Sequence, residues 1–88
     1  MKIKKGFISR EVAGSNVVVA TGAQSKNFNG VIKLNESGLI LWNLLVKGAE
    51  ADELVEALIA EYDVDRATAV ADADKFVGVL KDAGALDD

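Results

Sequence analysis

The apolar and polar positions are most informative over residues 30–45, where a short β-branched run leads directly into a strongly apolar segment. Residues 30–34 indicate a strand, and Asn35 after them is a favourable N-cap for a helix. Glu36 then places negative charge at the positive end of the helix dipole. Because nearly every later residue of the helix, 36–47, is large and apolar, we expect it to be the buried hub of the fold.

Two further strands are predicted before this stretch. Residues 7–12 alternate weakly between apolar and polar side chains, and residues 17–20 are dense in β-branched side chains. Residues 13–16 between them contain glycine, serine and asparagine, which favour chain reversal, so the two strands should form an antiparallel hairpin. Residues 21–29 are predicted to be a polar loop, in which Phe28 either closes onto the core or stays exposed.

Two more helices are predicted after the hub. Residues 51–62 repeat apolar side chains at helical spacing and carry glutamates on the other side. Asp65 is a suitable N-cap for the last helix, residues 66–83. The stripe of that helix expected to face the hub consists of Ala69, Ala73, Phe76, Leu80 and Ala83.

This order of elements predicts the fold class. Strands followed by helices indicate a single α+β domain over residues 1–88, with a three-stranded antiparallel sheet followed by three helices. The short turn between the last two helices resembles a helix-turn-helix, so the topology is expected to be winged-helix-like. Winged helices usually differ in chain order, because their helices come first.

The composition excludes most catalytic and metal chemistry. The 88 residues include no cysteine and no histidine, which removes disulfides, thiolate sites, the commonest general base and the commonest metal ligand. A calcium loop starting at Asp63 would need glycine where Thr68 stands. The acidic side chains fall on faces predicted to be wet, so we expect no catalytic residue, no metal site, no cofactor and no enzymatic activity.

Charge and hydropathy narrow the choice of partners. The formal net charge is −4 and there is no basic cluster, which disfavours nucleic acid as a ligand. The basic start lacks the long apolar segment of a signal peptide, and the longest apolar run is far too short to span a bilayer. We therefore expect a soluble, cytoplasmic protein that binds neither nucleic acid nor membrane.

The remaining candidate is a binding surface at the edge of the predicted sheet. Edge strands present unpaired backbone groups, and an extended peptide can add to them as a further strand. If the third strand lies at an edge beside the third helix, a groove forms between them. The outer side of that helix offers small and apolar residues, among them Val70 and Val77. Alternatively these two belong to the core, since the width of an apolar stripe does not fix its direction.

Three segments of the chain resemble the PqqD-like family. Residues 31–45, V-I-K-L-N-E-S-G-L-I-L-W-N-L-L, are similar to its strand–turn–helix signature. Residues 48–65, G-A-E-A-D-E-L-V-E-A-L-I-A-E-Y-D-V-D, match its second helix and turn, and residues 72–86, D-A-D-K-F-V-G-V-L-K-D-A-G-A-L, match its closing segment. No single segment is very specific, but their order and spacing together make the match strong.

The resemblance implies a recognition element for ribosomally synthesised precursor peptides. Such domains are non-catalytic and capture the leader segment of the peptide as an added strand, in the groove between the third strand and the third helix. They present it to a modifying enzyme, often a radical S-adenosylmethionine protein. Carried over by position, the implied peptide-binding residues are Val31, Ile32, Lys33 and Leu34 on the strand, and Val70, Asp74, Val77 and Lys81 on the helix.

Residues 2–29 depart from the PQQ-pathway protein of that family, since they lack its arginine-rich opening and aromatic strand residues. The resemblance therefore implies a relative that serves another peptide. Two alternatives are a winged-helix DNA-binding or regulatory module, suggested by the topology, and a homodimer formed through an exposed edge strand. Against the first, the third helix mixes aspartates with its basic side chains, so it is not a basic recognition helix.

Overall fold

The computed structural model describes residues 1–26 and 30–87, so the prediction for Phe28 lies outside the described residues. Its elements confirm the predicted class, a three-stranded antiparallel sheet followed by three helices. A short 3₁₀ helix, Gly22–Lys26, lies where only loop was predicted. The strands are β1 (Phe7–Val12), β2 (Ser15–Ala20) and β3 (Ile32–Leu34), and the helices are α1 (Glu36–Lys47), α2 (Ala51–Tyr62) and α3 (Arg66–Asp82).

The turn between β1 and β2 is tighter than the sequence indicated. Ser15 and Asn16, expected in the turn, begin β2, and Ser15 pairs with Val12. The chain therefore reverses over Ala13 and Gly14 alone, whose φ angles are +52° and +83°. Two residues at positive φ give the hairpin turn that matches the right-handed twist of the strands, and glycine adopts this conformation without strain.

β2 is the central strand, and β3 lies at one edge of the sheet. β3 is shorter than predicted, because only Ile32–Leu34 pair with β2 and residues 30–31 precede the strand. Its side chains alternate, with Leu34 buried, Ile32 half-buried and Lys33 exposed. Over residues 1–26 and 30–87, no further strand of the sheet pairs with the outer edge of β3.

Helix α1 is the hub of the core, as predicted. Leu41, Trp42 and Leu45 on this helix are almost completely buried, and α1 contacts both α2 and β3. The helix begins directly after the sheet, because Asn35 alone separates it from β3 and caps it. The Asn35 side-chain oxygen accepts hydrogen bonds from the Gly38 N–H at 2.8 Å and from the Ser37 hydroxyl at 3.0 Å. This cap fixes the direction in which β3 leads into the core.

Helices α2 and α3 follow the predicted bounds to within one residue. The Asp65 side chain caps α3 by accepting from the Thr68 N–H at 2.8 Å, and hydrogen bonds from the Thr68 side chain and backbone lower the pKa of Asp65. An exposed salt bridge between Arg66 and Glu56 joins α3 to α2. Of the predicted inward stripe, Ala69, Ala73 and Leu80 are buried, and Phe76 and Ala83 are half-buried.

Residues near the two ends of the chain pair with each other, which the sequence did not reveal. Ile3 and Leu86 form an antiparallel bridge. The Lys4 N–H donates to the Ala85 carbonyl at 2.7 Å, and the Asp87 N–H donates to the Lys2 carbonyl at 2.8 Å. In the part of the chain that is described, no helix is long and apolar enough to cross a membrane.

Candidate functional site

A groove lies between the edge strand β3 and helix α3. Its cavity has a volume of about 450 Å³. One wall consists of all three residues of β3 and the first turn of α1, which Asn35 holds against the end of the strand. The opposite wall is one flank of α3, formed by Asp72, Lys75, Phe76 and Val79. The groove therefore lies beside the edge of the sheet that no strand within residues 1–26 and 30–87 pairs with.

The floor of the groove is apolar and closely packed. Leu41 and Leu58 reach it from the core, and the half-buried ring of Phe76 lies against Gly38. A Cβ atom on Gly38 would lie 3.3 Å from Phe76 Cε1 and 3.1 Å from Asn35 Oδ1. Gly38 is buried within the first turn of α1, where its missing side chain leaves room for Phe76.

A pair of glycine-to-alanine variants separates this steric role from helix propensity. Alanine at Gly78, where a Cβ meets no atom within 4 Å, is expected to stabilise α3 by up to about 1 kcal/mol. Gly38→Ala should raise the free energy of unfolding by clearly less than Gly78→Ala does, or should lower it. The reason is that the Phe76 ring and the Asn35 cap must shift by a few tenths of an ångström to admit the new Cβ atom. Urea unfolding of both variants measures the difference. Equal stabilisation at the two positions would show that Gly38 has no packing role.

The structure brings the strand half of the predicted site to the groove. Ile32, Lys33 and Leu34 all line it. Val31, the fourth predicted strand residue, lies just before β3, is 64 % exposed and does not line the cavity. The strand was predicted to begin at residue 30, so the shorter observed strand accounts for this difference.

The four predicted α3 residues, Val70, Asp74, Val77 and Lys81, do not line this groove, and their role in peptide binding stays a prediction. They lie on the other flank of the helix, where Val77 packs on the core and the remaining three are exposed. Each of them lies two positions from a residue of the groove wall. Because two residues of an α-helix turn through about 200°, the two sets point to nearly opposite sides of α3. The sequence located the core stripe between the two flanks but could not decide which flank faces β3.

Phe76 is the residue that the sequence could have assigned to the site. It is the one aromatic side chain in a stripe made mostly of alanine, and it was predicted only to face the hub. A large ring among small neighbours extends beyond the packed interface and can serve as a contact surface. No group of three acidic side chains in residues 1–26 and 30–87 is placed to hold a metal ion.

Comparison with known proteins identifies the family. Residues 16–86 match the family model described as "Coenzyme PQQ synthesis protein D (PqqD)". The chain belongs to the PqqD family. The matched region of this PqqD-family chain contains β3, α1 and α3, so both walls of the groove lie within it.

Two solved structures share the fold of this PqqD-family chain. "TbiB1 in Complex with the TbiA(beta) Leader Peptide" is 29% identical, with a TM-score of 0.79, over 99% of this chain and 95% of that one. "Lasso peptide synthetase B1 complexed with the leader peptide" is 19% identical, with a TM-score of 0.75, over 96% and 93%, and this likeness concerns the fold alone. Among curated proteins, none matches the sequence significantly.

Proposed function

We propose that this chain is a non-catalytic peptide-recognition domain of residues 1–88. It binds the leader segment of a ribosomally synthesised precursor peptide as an added strand and presents it to a modifying enzyme. The observation that carries the proposal is the unpaired edge of β3 beside the apolar groove. Membership of the PqqD family supports it, as does the TbiB1 structure, whose own chain is in complex with a leader peptide.

Strand addition follows from the chemistry of the edge. The outer N–H and C=O groups of β3 offer hydrogen bonds to any extended backbone, which gives affinity with little dependence on sequence. Side chains alternate between the two faces of a sheet, so every second side chain of an added strand lies on the face of Ile32 and Leu34. Those side chains meet Phe76 and Leu41 on the floor of the groove, and they would determine which peptide binds.

A non-catalytic role agrees with the chemistry of the groove. General acid–base catalysis needs a group whose pKa is tuned by burial and by fixed partners. The charged side chains that line this groove, Lys33, Asp72 and Lys75, are all exposed. We propose that the chemistry belongs to a separate modifying enzyme, such as a radical S-adenosylmethionine protein, and that both proteins act in the cytoplasm.

The direct test is titration of the purified protein with labelled leader segments of short precursor peptides encoded beside its gene. Binding should be micromolar or tighter, roughly −8 kcal/mol, for the cognate leader. Scrambled leaders and the modified core segments serve as controls, because they keep the composition or the origin but not the binding sequence. Absence of binding for every neighbouring leader would overturn the proposal.

Two valines on α3 provide a matched pair of variants for the same assay. Val79 is 42% exposed on the groove flank, and Val70 is 38% exposed on the opposite flank. Val79→Asp should weaken leader binding at least about tenfold, because it desolvates a charge against an apolar contact. Val70→Asp should bind normally. Greater weakening by the Val70 variant would place the binding wall on the flank that the sequence first suggested.

The open edge of β3 would also accept a second copy of the chain, edge to edge. Sedimentation at several protein concentrations, with and without leader peptide, separates the two uses of the edge. A dimer through this edge should dissociate when the peptide binds, because both ligands need the same backbone groups.

A further inference from the structure

A second cavity, here called the side cavity, continues the groove past the end of β3. Its volume is about 480 Å³. It shares with the groove the residues Asn35, Ser37, Leu58 and Asp72. Beyond them it is lined by Glu36 in the first turn of α1, by Tyr62 at the end of α2, and by Val64 before α3. An extended chain lying along β3 and passing Leu34 therefore arrives at its mouth.

The side cavity combines apolar walls with negative charge. Leu58, Val64 and Tyr62 supply apolar surface, and the exposed residues Glu36 and Asp72 also line the cavity. No described lysine or arginine lines it, whereas Lys33 and Lys75 both line the groove itself. The start of α1 would otherwise attract an anion, but two carboxylates repel one there.

The Tyr62 hydroxyl adds a polar oxygen to the wall of the side cavity, beside Glu36. Its oxygen is buried, and within the described chain it has no hydrogen-bond partner of good geometry. Burial first, then the negative charges of Glu36 and Glu61, and last hydrogen bonding to Glu36 raise the pKa of Tyr62, so the hydroxyl lies near the Glu36 carboxylate although the geometry is too poor for a full hydrogen bond. The phenolic oxygen can also accept a hydrogen bond, and a cationic N–H group brought between it and Glu36 would supply the donor.

We propose that the side cavity binds a lysine or arginine side chain of the captured peptide. The alkyl stem would lie along Leu58 and Val64, and the cationic end would meet the carboxylates of Glu36 and Asp72. This inference rests on the proposed leader-binding function and adds a recognition rule to it. The basic residue belongs at the end of the added segment that lies next to Leu34 and Asn35, and apolar side chains occupy the groove before it.

The test uses a probe that cannot form a strand. Isotope-labelled protein is titrated with N-acetyl-lysine methylamide, and NMR follows the amide signals of the side cavity. N-acetyl-norleucine methylamide is the matched control, because it has the same stem and lacks the ammonium group. We expect the lysine probe to shift the signals of Glu36, Tyr62 and Val64 and to bind roughly fivefold more tightly than norleucine.

Variants assign the effect to the two carboxylates. Glu36→Gln combined with Asp72→Asn should reduce lysine binding to the norleucine level. Asp74→Asn, two residues along α3 and outside the cavity, should leave it unchanged. Equal binding of lysine and norleucine, or undiminished lysine binding by the double variant, would overturn the proposal.

This experiment is independent of the leader titration. If the lysine probe binds but no leader does, the proposed function fails and the cation site stands. If leaders bind but the probe does not distinguish lysine from norleucine, the peptide-binding function stands and the recognition rule is wrong.

Discussion

Proline at one of two adjacent positions in β3, Ile32 or Lys33, is expected to abolish leader binding while the protein stays folded. Successive residues of a strand direct their N–H groups to opposite edges. One of these two N–H groups therefore faces β2, and the other faces the groove edge. Proline has no N–H, and its ring occupies the space of the missing hydrogen. An edge strand tolerates proline where the N–H would face outward, but not where the N–H would pair with the neighbouring strand.

The two variants should consequently fail in different ways. The outer-edge proline should lose at least about tenfold in peptide affinity, with little change in the free energy of unfolding. The inner-edge proline should lose about 1–3 kcal/mol of stability, because the ladder to β2 leaves a carbonyl without its donor. Leader titration and urea unfolding of both variants give the comparison.

Ile32→Ala and Lys33→Ala are the controls, since each removes the side chain and keeps the N–H. A weakening in the alanine variant equal to that in the proline variant would mean that side chains, and not the strand backbone, hold the peptide. A proline variant that stays folded and binds the leader normally would place the docking edge elsewhere.

Replacing Trp42 with alanine is expected to cost about 3–5 kcal/mol of stability. Trp42 is 1% exposed and lies in α1, the helix that contacts both β3 and α2. Its loss removes the largest fully buried side chain and leaves a cavity between the elements that it joins. An 88-residue protein has roughly 5–10 kcal/mol of stability in total, so much of the fold's margin would be lost.

Urea unfolding followed by circular dichroism measures this effect without relying on the tryptophan signal. Val46→Ala is the matched control, because Val46 lies on the same helix and is 48% exposed. It should change stability by less than about 0.5 kcal/mol. A loss below about 1 kcal/mol for Trp42→Ala would contradict the assignment of α1 as the packing hub.

The parts of the fold that the sequence predicted well are those set by neighbouring residues. The bounds of α1 match the prediction residue for residue, because Asn35 starts the helix and Gly48 ends it through short-range hydrogen bonds. The same reasoning gave the start of α3, where Asp65 is the cap, whereas α2 was predicted from apolar side chains at helical spacing. Signals of this kind do not depend on how the helices are later arranged.

The differences arise where distant segments meet. β3 is shorter than its β-branched run, because only Ile32–Leu34 pair with β2, although β2 itself continues to Ala20. The bridge between Ile3 and Leu86 joins residues from opposite ends of the sequence, where no local pattern could reveal it. In the same way, the choice between Val70 and Val79 as the groove wall depends on how α3 lies across the core, which residue periodicity leaves undetermined.

The alternation within β3 has a consequence for the peptides themselves. All three residues of β3 line the groove, but Lys33, paired with Val17, is exposed, while Ile32 and Leu34 on either side of it are half-buried and buried. A peptide strand added beside β3 would inherit this division. Binding to this chain would then constrain every second residue of the peptide. The residues between them would be free to diverge or to contact a different protein, such as the modifying enzyme.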